Sequence, residues 1–332
     1  MGEPMIPVLV RSSDNPILTG RDIPAMPPHL VDPSSVFNPG AARVGDRVVL
    51  LLRVQSRGRR TFLVAAESED GRDFRVRDRV VEIEGLDAEA EGILHVYDPR
   101  VTRIDDDWLV MFAADTETGC RLGVARTRDF ERFTLVGIGE DPDVRNGVLF
   151  PARFDGRYRR LDRPNRIRLA DGPTTGDEIV LSESEDLVRW RPLGRVMRGR
   201  PRFWDERIGA GPPPVRTRRG WLLVYHGVAT HFAGANIYQA GVALLDLEDP
   251  RRVLGRSRDN ILEPRKLYEQ VGQVPNIVFP GGLVVDGEDG EGFVAEESRV
   301  LLYYGAADTC VCLAESTVGR LLDACDPVTA SA

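Results

Sequence analysis

The chain repeats itself. Five segments, spaced by about 60 to 70 residues, end alike: "FLVAAESEDGRDF" from Phe62, "RLGVARTRDFERF" from Arg121, "EIVLSESEDLVRW" from Glu178, "YQAGVALLDLEDP" from Tyr238 and "VCLAESTVGRLLD" from Val311. Before each runs an apolar strand pair broken by a charged or glycine-bearing turn, as in "ARVGDRVVLLLRV", "PRVTRIDDDWLVMFAA" and "VRTRRGWLLVYHG". Alternation, β-branched and aromatic content, and D-G or G-D turns mark these pairs as hairpins. Helical periodicity is almost absent outside short connectors. Each unit therefore reads as one small antiparallel sheet, which cannot bury both faces alone. Five such sheets set radially predict an all-β fold, a five-bladed β-propeller. A long sandwich would show turns about every 8 to 12 residues without the larger period.

The repeats place the propeller over residues 36–320, with a proline-rich arm over 1–35 and a tail over 321–332. The arm, "PILTGRDIPAMPPHL", suits a subunit contact that also shapes the site, so a homo-oligomer stands open beside a monomer. With 332 residues, 42% of them hydrophobic, the chain has ample material for one large core. A formal charge of −8 gives no electrostatic invitation to nucleic acid or to an anionic membrane surface. Four cysteines, Cys120, Cys310, Cys312 and Cys325, fit neither a disulfide framework nor paired zinc spacing, and read as buried thiols. No segment approaches the roughly 20 apolar residues of a membrane span, and no basic flank precedes an apolar h-region, so a cytoplasmic location is expected. Lys266 is the single lysine among 44 basic residues, so arginine stands wherever another chain would use lysine.

Propellers work where inner strands meet the central channel. At the corresponding positions stand "VFNPGAAR", "VYDPRVTR", "RNGVLFPARF" with "LDRP", "ERIGAGPPP" with "YHGV", and "QVPNIVFPGG" with "YYGAADT". Each sets a charged or amide side chain beside proline or glycine, which fixes the backbone and interrupts the ladder. Collected together, Arg53, Arg100, Arg145, Arg163, Arg207 and His226 face Asp98 and Asp308, a cationic excess in an otherwise acidic chain. Such a cluster suits an oxyanion, inorganic phosphate or a phosphorylated substrate, because arginine forks bind phosphate oxygens in pairs. Neither phosphate-loop nor dinucleotide glycine motif is present, so nucleotide binding is not indicated. His226 and His231, five apart, are a weak metal signal, and no metal is expected.

The motifs "YDPRVTR", "NGVLFPARFDGRYRRLDRP", "ERIGAGPPPVRT", "GWLLVYHGV", "GVALLDLEDPRRVLGR", "ILEPRKLYEQVGQVPNIVFPGG" and "LLYYGAADTCVCLAE", in order from about residue 35 to 320, resemble glycoside hydrolase family 130. The resemblance implies a five-bladed propeller and a phosphorylase that cleaves a terminal β-mannoside with inorganic phosphate. The products would be α-mannose 1-phosphate, with inversion, and a shortened sugar; phosphate is a co-substrate and no cofactor is implied. It makes Asp98 the general acid, acting through the 3-hydroxyl of the mannose. It places Arg145, Asn146, Arg163, Arg207 and His226 on phosphate, and Asn38, Arg53, Arg100 and Asp308 around the mannosyl unit, with Glu269 assigned to the substrate as well.

The chain departs from the family pattern at Tyr97, where glutamate is usual, at Asp162 in place of histidine, and at Gln239 and Ala240; Arg145 and Arg207 replace lysines. Inverting hydrolysis needs two carboxylates, whereas phosphate arrives already anionic and needs one acid and a cationic cradle. A hydrolase on the same scaffold stays open, with Glu269 or Asp162 as the second carboxylate. So does a propeller that binds carbohydrate without turning it over.

Overall fold

The computed structural model describes residues 7–89, 92–141, 143–167, 175–230 and 236–328. It contains five sheets in chain order, the blades of a propeller, antiparallel but for the short parallel pairing of Ile83–Glu84 with Phe133–Ile138. Blade one holds Pro33–Val44, Arg47–Ser56, Thr61–Ser68 and Arg75–Val80; blade two holds Ile93–Ile104, Asp107–Thr116, Gly119–Thr127 and Phe133–Ile138. Blade three holds Val144–Phe154, Arg157–Pro164, Glu178–Ser184 and Arg191–Arg198. Blade four begins with the split strand Arg207–Ala210 and Val215–Thr217 and continues through Gly220–Thr230, Asn236–Leu245 and Val253–Arg256. Blade five holds Val278–Val285, Arg299–Ala306 and Cys310–Thr317.

The second strand of four blades is an unbroken apolar run: "VVLLL" from Val48, "WLVMFAA" from Trp108, "WLLVY" from Trp221 and "VLLYY" from Val300. Unbroken runs are the pattern of strands covered on both faces. The packing shows why. Leu50 and Leu52 pack with Leu301, Tyr303 and Leu313 of blade five, while Val49 and Leu51 pack with Val110, Phe112 and Ala114 of blade two. Five apolar clusters sit in this way at the five blade junctions, so the core is distributed around the ring.

The repeated "SED" and "TRD" segments form one recurring turn. Asp70 Oδ1 accepts the backbone N–H groups of Arg72 and Asp73, at 2.8 and 3.0 Å, as it leaves the third strand of its blade. Asp129, Asp186 and Asp246 do the same for the residues two and three beyond them. These backbone donors hold all four carboxyl groups below the ordinary aspartate value.

Segments near both limits of the described residues are built into blades. Val10–Arg11 pairs with the third strand of blade five, Val10 opposite Glu315, and supplies the fourth strand which that blade otherwise lacks. Asp326–Pro327 pairs with the outer strand of blade four, and the helical turn Val318–Asp323 buries Val318, Leu321 and Leu322 beneath it. The structure thus incorporates parts of the arm and of the tail as edge strands, where they cover otherwise unpaired backbone.

Candidate active site

Each innermost strand is interrupted at one level of the channel. The register slips between Phe37 and Gly40, between Tyr97 and Arg100, between Arg145 and Val148, and between Pro280 and Gly282. In blade four the strand breaks at Gly211 and the three prolines that follow. The first three slips carry Asn38, Asp98 and Asn146 at φ of 46°, 53° and 55°. Asparagine and aspartate tolerate this left-handed conformation better than other side-chain-bearing residues, and a proline or glycine follows each. Three polar side chains therefore leave the ladder at the same height and line one cavity of about 630 Å³, together with Arg53, Arg100, Arg145, Arg163, His226 and Asp308.

Asp98 Oδ1 accepts from Asn38 Nδ2 and from Arg53 Nη1, both at 3.0 Å. The Arg53 guanidinium packs against two rings, with Cζ 4.5 Å from the Phe37 centroid and 4.4 Å from that of Tyr97. Asp308, in a turn with φ of 48°, closes the same side of the cavity. Burial pushes its carboxyl up to about 6, with Arg53 opposing and Asp98 adding to the rise.

The opposite wall is cationic. Arg100 is 1% exposed; its Nε donates to the Gly211 carbonyl at 2.9 Å, while Nη1 and Nη2 have no partner among the described residues. Arg163, also buried, donates to Asn165 Oδ1 at 3.3 Å and has no salt bridge among the described residues. His226 is fully buried, and among the described residues neither ring nitrogen has a side-chain partner; only the Ala210 backbone comes near. Burial, with Arg163 and Arg100 close by, drives the imidazole well below its ordinary value, so it is neutral rather than the cation that the sequence suggested. The proline run explains its reach. His226 lies opposite Gly209, where a Cβ would stand 2.4 Å from the imidazole Cε1 and 2.7 Å from Asn146 Oδ1. A glycine there, fixed by the break that follows, lets His226 and Asn146 converge.

Two assigned residues lie elsewhere. Arg207 donates from Nη2 to Thr230 Oγ1 at 2.9 Å and does not line the cavity itself, although its charge reaches Tyr238 on the wall. Glu269 is fully buried and saturated: it accepts from Arg11 Nε at 2.7 Å, Tyr304 Oη at 2.8 Å and the backbone N–H groups of Arg265 and Lys266 at 2.8 and 2.9 Å. It pins the N-terminal strand to blade five and is not presented to a substrate. Asp162, the other carboxylate considered for hydrolysis, is also buried, bonded to Arg160 Nε at 2.8 Å and Ser182 Oγ at 3.0 Å. His231 lies outside the described residues.

The sequence reading also missed cavity residues. Tyr238 stacks near His226 with centroids 6.1 Å apart, and Phe279 lies 4.7 Å from the same ring. Asp115 Oδ1 accepts from Tyr97 Oη at 2.6 Å and from Arg145 Nη2 at 3.3 Å. Asp115 sits in an ordinary "FAADT" strand end, and only its partner across the bulge gives it a place in the site. With Arg59 at the mouth, five arginines face three aspartates, a local excess of positive charge in an acidic chain.

Residues 4–327 match the family described as beta-1,4-mannooligosaccharide phosphorylase. The chain belongs to glycoside hydrolase family 130. Among similar proteins, the beta-1,4-mannooligosaccharide phosphorylase of Ruminococcus albus is 34% identical, over 95% of this chain and 90% of that one. The 4-O-beta-D-mannosyl-D-glucose phosphorylase of Bacteroides fragilis is 28% identical, over 88% and 75%. The structure of the beta-1,2-mannobiose phosphorylase of Listeria innocua, in complex with beta-1,2-mannobiose, superposes with a TM-score of 0.78 at 26% identity, covering 95% of this chain and 98% of that one. The five-bladed propeller expected from the repeats agrees with this relationship.

Proposed function

We infer that this family 130 enzyme is an inverting phosphorylase of short β-mannosides, which releases α-mannose 1-phosphate. The observation that carries the reading is the pair of buried guanidinium groups, Arg100 and Arg163, which among the described residues have no carboxylate in hydrogen-bond reach, beside a neutral His226 without a side-chain partner. Buried cations without counter-ions are costly, and an anion in the cavity relieves that cost. Phosphate held by Arg145, Asn146, Arg163 and His226, with Arg100 beneath, would attack the anomeric carbon from the face opposite the leaving oxygen. Asp98 would supply the proton through the mannose 3-hydroxyl, with Arg53 and Asn38 fixing its orientation and Asp308 accepting from sugar hydroxyls. A neutral imidazole donates one N–H to phosphate while the arginines carry the charge.

The hydrolytic reading needs a second free carboxylate. Glu269 and Asp162 are both consumed by structural partners, Asp115 is engaged by Tyr97 and Arg145, and the remaining cavity carboxylate, Asp308, lies on the side of Asp98 and Arg53 rather than on the opposite wall, where a water would have to be activated for inversion. Four free, buried cysteines suit the reducing cytoplasm, where we place the enzyme. The test is incubation with β-1,4-mannobiose, β-1,2-mannobiose and mannosyl-glucose, with and without phosphate. Phosphate-dependent α-mannose 1-phosphate supports the reading and shows the linkage used; free mannose formed at the same rate without phosphate overturns it.

A further inference from the structure

We propose that Tyr97 is a positioning residue that sets the aim of both arginines, one on each side of the reacting centre. The inference rests on the phosphorylase reading of the cavity. Tyr97 immediately precedes the bulge that presents Asp98, and it is 5% exposed. Its ring supports the Arg53 guanidinium at 4.4 Å, and Arg53 in turn holds Asp98. Its hydroxyl donates to Asp115 Oδ1 at 2.6 Å, and that same oxygen accepts from Arg145 Nη2. Arg145 Nε has no partner among the described residues, so Asp115 is the contact that fixes this guanidinium. Burial pushes the phenol above its ordinary value and keeps it a donor. The bonds then run one way: hydroxyl and guanidinium both give to one carboxylate.

A single side chain thus joins the acid's support to the anion's support by two separable interactions. The ring acts on Arg53 through its face. The hydroxyl acts on Arg145 through Asp115, a bond to a charged group whose loss is worth about tenfold or more in affinity. Such relayed contacts commonly govern how well directly binding groups perform.

The test separates the two. Tyr97→Phe keeps the ring and its packing and removes only the hydroxyl; phosphate KM, and phosphate Kd by calorimetry, should rise about tenfold, while kcat falls less than about threefold. Tyr97→Leu also removes the stack and should lower kcat by about a further tenfold. Asp115→Asn should follow Tyr97→Phe, and the double variant should be little worse than either single one. A purely structural role would lower the melting temperature and leave phosphate KM and Kd alone. Tyr97→Phe with both within about twofold of the parent overturns the proposal. Failure of the parent enzyme to bind phosphate or to form the sugar phosphate would instead remove the phosphorylase reading, and this inference with it.

Discussion

Arg100 is the residue through which the site's demand for an anion can be weighed. Burial brings its guanidinium from 12.5 down to about 10, partly offset by Asp98; at 1.36 kcal/mol per tenfold this is a bias of about 3 kcal/mol against the charged form. The bias is fully present at neutral pH, where the group is charged in both folded and unfolded chains. Arg100→Met fills similar space, removes the buried charge and forfeits the bond to the Gly211 carbonyl, worth about 1.5 kcal/mol. The remainder, about 1 to 2 kcal/mol, makes the variant more stable than the parent in phosphate-free buffer. For 332 residues the unfolding entropy is about 0.7 kcal/mol/K, so Tm should rise by roughly 1 to 3 °C. Phosphate at a hundredfold excess over Kd should then add about 2.7 kcal/mol to the parent, or roughly 4 °C, and much less to the variant. Scanning calorimetry with and without phosphate reads both shifts. A variant that melts well below the parent without phosphate, or a phosphate shift equal in both proteins, would refute the reasoning.

Three further outcomes are expected. Asp98→Asn should lower kcat by about 10² to 10⁴ while leaving phosphate binding in place by calorimetry, because the cradle does not depend on the acid. Asp308 has a folded value of about 6, above the ordinary 3.8, so the folded state holds its proton more tightly and loses stability as pH rises through about 6. Asp308→Asn should accordingly exceed the parent by up to about 3 kcal/mol at pH 8 and match it near pH 4 in urea titrations. Glu269→Gln should cost about 3 to 5 kcal/mol in the same assay, by leaving Arg11 and its neighbours without their counter-ion, and should leave phosphate KM within about twofold.

The propeller was legible because its repeat has a physical basis at two levels. The "SED" and "TRD" turns recur because one carboxylate serves two backbone donors each time, and the apolar runs recur in four blades because the second strand of each is covered by blades on both sides. Asn38, Asp98 and Asn146 were legible for a related reason: an Asn or Asp followed by proline or glycine is the local signature of a bulge that turns a polar side chain out of the ladder. Arg207 was not, since its position two residues before Gly209 reveals nothing about whether a long side chain folds back to Thr230. Glu269 misled because a motif rich in polar residues can serve a buried ion pair as readily as a ligand, and Arg11, its partner, lies 258 residues away. The neutrality of His226 depends on burial and on two arginines from other blades, which no local spacing encodes. Tyr97 and Arg145 illustrate the same limit, being coupled through a third residue, Asp115, with Arg145 on the next blade.

The pairing of Val10 with Glu315 bears on the order in which the enzyme can come into being. A ribosome adding about 5 to 20 residues per second needs roughly 15 to 60 s between making these two residues. Throughout that interval the first blades can fold, but the Val10–Arg11 strand has no fifth blade to join and the ring has no seam. Asn38 is synthesised early and Asp308 late, so the cavity they share comes together only when the newest part of the chain reaches back to the oldest. Loss of a few residues from the front should therefore strike the blade made last.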